Sequence, residues 1–191
     1  MSEPEISSPK RDHLMATAWR LFYRDGFRAV GIDLILAEAG VAKMTLYNHF
    51  ASKEELIVAL LVKRDRELRA SIVATVEAAG KSPMKRLLAV FDWLEEWFGS
   101  ADFNGCVFIR ALSEYPEATH VIHRTAWNHK VAVKAMLAEL CAAVGVTNSD
   151  GMAETLSLLI DGAIVAAHGT REIGSARVAR ATAVTLLKAA V

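Results

Sequence analysis

Gly40-Val41-Ala42-Lys43-Met44-Thr45-Leu46-Tyr47-Asn48-His49-Phe50-Ala51-Ser52-Lys53 is the stretch on which the reading of this chain turns. A glycine suited to ending one helix is followed by about two turns of another. In that second helix Leu46 and Phe50 supply an apolar side, while Lys43, Thr45, Tyr47, Asn48 and His49 supply a hydrogen-bonding one. A short helix divided in this way suits the major groove of DNA. Just upstream, Ile32, Ile35, Leu36 and Ala39 recur at steps of three and four, which draws one apolar stripe of a preceding helix. Gly40 takes the turn because a positive φ is cheapest without a Cβ, and Val41 fills the angle. The expectation is helix, glycine turn, helix.

Taken together, Ala39-Gly40-Val41, Thr45-Leu46-Tyr47, His49-Phe50 and Ser52-Lys53-Glu54-Glu55-Leu56 resemble the DNA-binding domain of the TetR family of transcriptional repressors. The likeness runs over roughly residues 10–60. It implies an all-α homodimer with an N-terminal three-helix helix-turn-helix head and a C-terminal helical bundle for effector binding and dimerisation. It also implies two partners, double-stranded operator DNA and a small-molecule effector that releases the repressor from a palindromic operator. On that resemblance Tyr47 and His49 work largely on the phosphate backbone. Lys43, Met44, Thr45 and Asn48 are then the candidates for base edges, with Asn suited to adenine and Lys to guanine. Lys53, at the open start of the next helix, is a natural phosphate site. One position departs from the family pattern: where Thr or Ser usually caps the first motif helix, this chain has Val30-Gly31, which offers no hydroxyl.

The composition fits that reading with one exception. A chain of 191 residues, 53% hydrophobic with four prolines, is long enough for one large or two modest domains and reads as globular. No apolar run reaches the ~20 residues of a membrane helix. The polar segment from Met1 to Pro9 reads as neither signal peptide nor anchor, so a cytoplasmic location and no membrane partner are expected. Cys106 and Cys141 lack the close spacing of a zinc or redox motif and read as small buried hydrophobes. The exception is the net charge of zero, since DNA binders are usually basic. Between residues 10 and 53, however, Lys10, Arg11, Arg20, Arg24, Arg28, Lys43 and Lys53 outnumber Asp12, Asp25, Asp33 and Glu38. A mildly basic head predicts modest nonspecific affinity and a shallow salt slope.

Along the rest of the chain the signals are those of helices. Ser8-Pro9 opens the first, with Leu14, Ala18, Leu21 and Phe22 inward and Asp25-Gly26-Phe27 as its end. Ser52 and Glu55 fit a capping box, in which the carboxylate returns to the Ser52 N–H. The helix that follows carries Leu56, Leu60, Leu61, Leu68, Ile72 and Val76 as far as Gly80. Ser82-Pro83 starts another, which ends at Gly99. Residues 105–112 read as a short helix, since no strand candidate exists to pair with them. Pro116–Val144 suits one long helix, and two more follow at about Met152–His168 and Ser175–Ala190. The head-to-body boundary is placed near Ser52, giving residues 1–52 as the DNA-binding domain, with the start of the linking helix as far as about residue 60, and 53–191 as the effector and dimerisation domain.

The body offers weaker signals. Small residues on the last two helices suggest close helix packing between subunits, with Leu156, Ile160, Ala163, Ala167, Ala179, Thr182 and Leu186 as the interface. By the resemblance an effector pocket lies among the middle helices, for which Trp93, Trp97, Arg110, Tyr115, His123 and Trp127 are the candidates. Glu117, His120, His123 and His129, read as one helix, raise an alternative: a ferritin-like metal-binding enzyme or carrier using Glu117 and His120. Such bundles need two Glu-x-x-His copies, and one occurs here, so no metal or other cofactor is assigned. No nucleophile elbow, phosphate-cradling glycine loop or zinc-protease signature supports a catalytic residue or an enzyme.

Overall fold

Leu14, Ala18, Leu21 and Phe22 recur on one side of the first helix, and each is fully buried, so the head builds its core from the stripe its sequence draws. The computed structural model describes residues 9–190, and among them every regular element is a helix. In chain order these are α1 (Pro9–Asp25), α2 (Ile32–Ala39), α3 (Lys43–Tyr47), α4 (Lys53–Ala78), α5 (Pro83–Phe98), α6 (Val107–Glu114), α7 (Val121–Val144), α8 (Ser149–Thr170) and α9 (Gly174–Ala190). The expected Ser8 cap lies outside the described residues. Pro9 stands at the first helical position, where a missing N–H costs nothing.

Two compact units divide the chain. The first comprises the chain up to Arg64 together with Val107–Ala126, and the second comprises Asp65–Cys106 with the chain from Trp127 onward. The opening turns of α4, as far as Arg64, belong to the first unit. Lys53 lies over the Phe22 ring and Arg64 over the Trp19 ring, at 5.9 and 5.4 Å. Helix α6 is part of the same unit through bonds to the end of α1.

In the first unit α2 and α3 pack on α1 and on each other. In the second, α5, α8 and α9 pack mutually. Ala153, Ala163 and Ala167 of α8, with Ala176, Ala179 and Ala183 of α9, are buried there, and their small side chains let the backbones approach. Rim ion pairs join α5 to α9, with Asp92 to Arg180 at 2.7 Å and Glu95 to Arg177 at 3.6 Å. The Trp93 indole N–H donates to the Ser71 hydroxyl at 2.9 Å, tying α5 to α4.

Two helix starts and one cap differ from expectation, each because a side chain takes an end group that periodicity cannot see. Helix α7 begins at Val121 instead of Pro116: the Glu117 carbonyl accepts the His120 N–H at 2.8 Å, and His120 Nδ1 accepts the Ile122 N–H at 3.2 Å. Residues 117–120 are thus a turn that caps the helix. Helix α8 begins three residues early, at Ser149, since Asn148 Oδ1 accepts the Gly151 N–H at 3.1 Å. At α4 the Ser52 hydroxyl accepts the Glu55 N–H at 3.1 Å as expected, whereas the Glu55 carboxylate reaches the N–H of Ala51 at 2.6 Å. Removing the Asn148 cap by Asn148→Ala lowers the unfolding free energy by about 1 kcal/mol, read as an earlier midpoint in urea titration.

Candidate nucleic-acid interface

Gly40 sits at φ +63°, and its N–H and that of Val41 bond back to the carbonyls of Ala37 and Leu36 at 3.3 and 3.2 Å, closing α2. The chain then re-enters a helix after only Val41 and Ala42. Ile35 and Ala39 of α2 are buried and Ile32 and Leu36 half-buried, which is the stripe that their spacing draws. His13 Nε2 lies 3.1 Å from the Ala39 carbonyl, and Arg20 pairs with Glu38 at 2.7 Å, so α1 holds α2 at its C-terminal end.

Leu46 is 0% exposed and Phe50 2%. Their burial turns the rest of α3 outward: Met44 is 68% and Tyr47 43% exposed, and Lys43 and Asn48 are exposed beside them. The Lys43 ammonium lies 6.0 Å from the Tyr47 ring, so cation and aromatic share one outward face. Thr45 and His49 are half-buried, at the margin of that face. Arg11 stacks over Phe50 at 5.0 Å, which brings the start of α1 to the same side.

Lys53 is held differently from Lys43. Burial pushes its ammonium below the ordinary lysine range, Glu54 and Glu114 pulling the other way, and it lies over the Phe22 ring. It is half-buried in the head. Gly31 caps α2 with no side-chain bond, as its lack of a hydroxyl requires. Arg20 and Arg24 are matched by Glu38 and Asp25, both already counted against the cations, so the basic surplus of the head is unchanged.

The six candidate pocket residues divide between the units. In the first, Arg110 Nη1 donates to the carbonyls of Phe22 and Tyr23, His123 Nδ1 donates to the Tyr115 carbonyl at 2.8 Å, and Tyr115 is buried. In the second, Trp93 and Trp97 meet with ring centroids 5.2 Å apart, and Phe103 lies edge-on to Trp97 at 5.1 Å. Trp127 is 55% exposed and lines a surface groove of about 150 Å³ between α7 and α8. Lysines on one wall of that groove face acids on the other, Lys130 to Asp161 and Lys134 to Glu154. Sequence reasoning passed over this groove, although Lys130/Lys134 and Glu154/Asp161 each share one helix face.

Of the seven expected interface residues, Leu156, Ile160, Ala163, Ala167 and Ala179 are buried within the single chain, whereas Thr182 is exposed and Leu186 half-buried. The outward apolar residues of these helices are Leu158, Val165 and Val178.

The histidines do not assemble a metal site. Glu117 and His120 stand in a turn and not on a helix face, His120 caps α7, and among the described residues no three potential ligands cluster. The ferritin-like alternative has no support. His129, 5% exposed, donates from Nδ1 to Asp65 at 2.7 Å, and Asp65 also takes a two-point bond from Arg69. Cys141 is buried, which pushes its thiol up to about 11, and Cys106 is half-buried.

Helical throughout the described residues, with a glycine-turned helix pair presenting a short polar face, the chain has the form of a helix-turn-helix DNA-binding regulator. The profile of "Bacterial regulatory proteins, tetR family" matches residues 14–60. The transcriptional repressor DhaR of Mycobacterium sp. is 32% identical over 100 residues, covering 52% of this chain and 49% of DhaR. For the transcriptional repressor NemR of Escherichia coli the figures are 27% over 105 residues, 54% and 53%. The chain thus spans about half the length of the curated relatives it matches. A crystal structure of a TetR-family transcriptional regulator from Streptomyces coelicolor superposes with a TM-score of 0.90 at 32% identity, covering 95% of both chains. The chain belongs to the TetR family, whose members are transcriptional regulators and not enzymes.

The buried histidine sets a pH dependence. Burial pushes His129 below the ordinary value of 6.5, with Asp65 opposing and Lys130 and Arg69 adding to the fall. Its neutral form is favoured by folding, so its contribution is present above pH 6.5 and is lost as pH falls through the folded value. Thermal melts between pH 7 and pH 5 are expected to show a drop in Tm that is smaller in His129→Gln.

Proposed function

We propose that this protein is a dimeric, effector-responsive transcriptional repressor that reads a palindromic operator with α3. The observation that carries the reading is the division of α3: Leu46 and Phe50 are sealed inward, so Lys43, Met44, Tyr47 and Asn48 line one solvent face. Lys43 and Asn48 meet base edges, Met44 meets thymine methyl groups, and Tyr47 and His49 contact phosphate. Thr45, at the margin, reaches a base edge only where the helix enters deeply, and Lys53 contributes weakly because its charge is turned toward Phe22. DhaR and NemR, both named repressors, support the direction of control. A protein acting on chromosomal DNA works in the cytoplasm, and among the described residues no helix is long and apolar enough to cross a membrane.

Dimerisation uses the outward faces of α8 and α9, where Leu158, Val165 and Val178 are 68%, 58% and 69% exposed and Thr182 adds a small polar neighbour. Helix pairs from two subunits bury these residues in a four-helix contact. The effector is a small molecule recognised by aromatic side chains, with Trp93 and Trp97 as the sensing rings of the second unit. Its binding weakens operator affinity, and by linkage the operator weakens effector affinity by the same factor.

Operator DNA selected from a random pool provides the probe. The double variant Lys43→Ala/Tyr47→Ala is expected to lose affinity by about tenfold or more in gel-shift titration and to lower the salt slope by about one. Unchanged affinity would contradict the assigned surface. For the dimer, Leu158→Glu is expected to yield monomers in light scattering; a variant that stays dimeric removes α8 from the interface.

A further inference from the structure

Helix α1 ends at Asp25, Gly26 turns the chain toward α2, and two residues of α6 grip that corner from one helix face. Arg110 Nη1 donates to the carbonyls of Phe22 and Tyr23 at 3.1 and 2.8 Å. These belong to the last turn of α1, where the helix dipole is negative; the Phe22 carbonyl also accepts the Gly26 N–H at 2.9 Å. Four residues on, the Glu114 carboxylate accepts the N–H of Phe27 through Oε1 at 3.1 Å and that of Arg28 through Oε2 at 2.6 Å. Successive amides turned to one anion form a nest. The fit is close: a Cβ on Gly26 would lie 2.7 Å from Glu114 Oε1, and the φ of +93° at this position already favours glycine. Next to Glu114, the Tyr115 ring lies under the Arg28 guanidinium at 5.3 Å and beside the Phe27 ring at 6.3 Å.

The prongs are complementary in sign, with a cation on the negative end of α1 and an anion on the donors that follow it. Neither side chain belongs to the helix-turn-helix. We propose that Arg110 and Glu114 are positioning residues for DNA recognition: by clamping the α1–α2 corner they hold α2 and α3 at one angle, and the protein thereby discriminates between operators of different half-site spacing. This inference rests on the DNA-facing role of α3 proposed above.

The test uses the full-length protein, its selected operator, and the same operator with the half-sites moved apart by about two base pairs. In Glu114→Ala, the Phe27 and Arg28 amides are expected to exchange with deuterium about tenfold faster or more, since each loses a charged acceptor. The affinity penalty for the lengthened operator is expected to shrink by about tenfold, because a loosened head tolerates the wrong spacing. Glu114→Gln restores part of both, and Arg110→Met carries the same measurements if Glu114→Ala does not fold. Wild-type amide protection in these variants overturns the clamp. Lost protection with an unchanged spacing penalty overturns the positioning role. If the wild-type protein enriches no DNA from the pool, the reading of α3 fails and the positioning role with it; the amide exchange, measured without DNA, separates that failure from a failure of the clamp.

Discussion

Helix α3 has five residues, too few to hold a helical conformation in isolation, where ~12–15 are marginal. Its existence rests on the burial of Leu46 in the helix and of Phe50 just beyond it. Once these are committed to the core, the 100° step per residue turns Lys43, Met44 and Tyr47 the other way. The polar face is thus a by-product of the apolar one, and anything that holds the head core together also aims the reading surface. Gly40 belongs to the same constraint, because the left-handed turn at φ +63° lets α3 begin three residues after it.

Around that anchor the first unit is tied mainly at helix ends. His13 and Arg20 hold α2 by its C-terminal half, Ser52 and Glu55 fasten the start of α4, and Arg110 and Glu114 hold the end of α1. Short helices leave a large share of their N–H and C=O groups without intrahelical partners, so such bonds matter more here than in a long bundle. The second unit works differently. Its mutually packed helices α5, α8 and α9 have 16, 22 and 17 residues, alanines pave the contact between α8 and α9, and ion pairs sit at the rim, where solvent limits them to small contributions.

Much of this was legible in the order of residues. The stripe Leu14, Ala18, Leu21 and Phe22, the run Leu56 to Val76, the Ser82-Pro83 start and the short helix after Gly105 stand where periodicity and punctuation put them. Of the expected DNA-facing residues Lys43, Met44, Tyr47 and Asn48 are exposed, and Thr45, His49 and Lys53 are half-buried. Less legible were the ends at His120 and Asn148, because an amide or imidazole that caps a helix looks like any other polar residue until its rotamer is known. The residues expected at a subunit contact are ambiguous for a related reason: a stripe of small apolar side chains announces close packing but does not name what packs there. In the structure α8 and α9 use Leu156, Ala163 and Ala179 on each other and on α5, and they leave Leu158, Val165 and Val178 outside.

Local pattern alone settles that this chain is helical, where a glycine folds one helix back on another, and which side of α3 is polar, since each depends on residues within a few turns of one another. Tertiary structure decided that α6 belongs with the head, that Glu114 seats on the amide of Phe27 87 residues away, and that His129 answers to Asp65. Contacts of that range leave no period in the sequence. They arise only when packing brings a charge to a helix end or an imidazole to a carboxylate, and burial then makes the pairing obligatory.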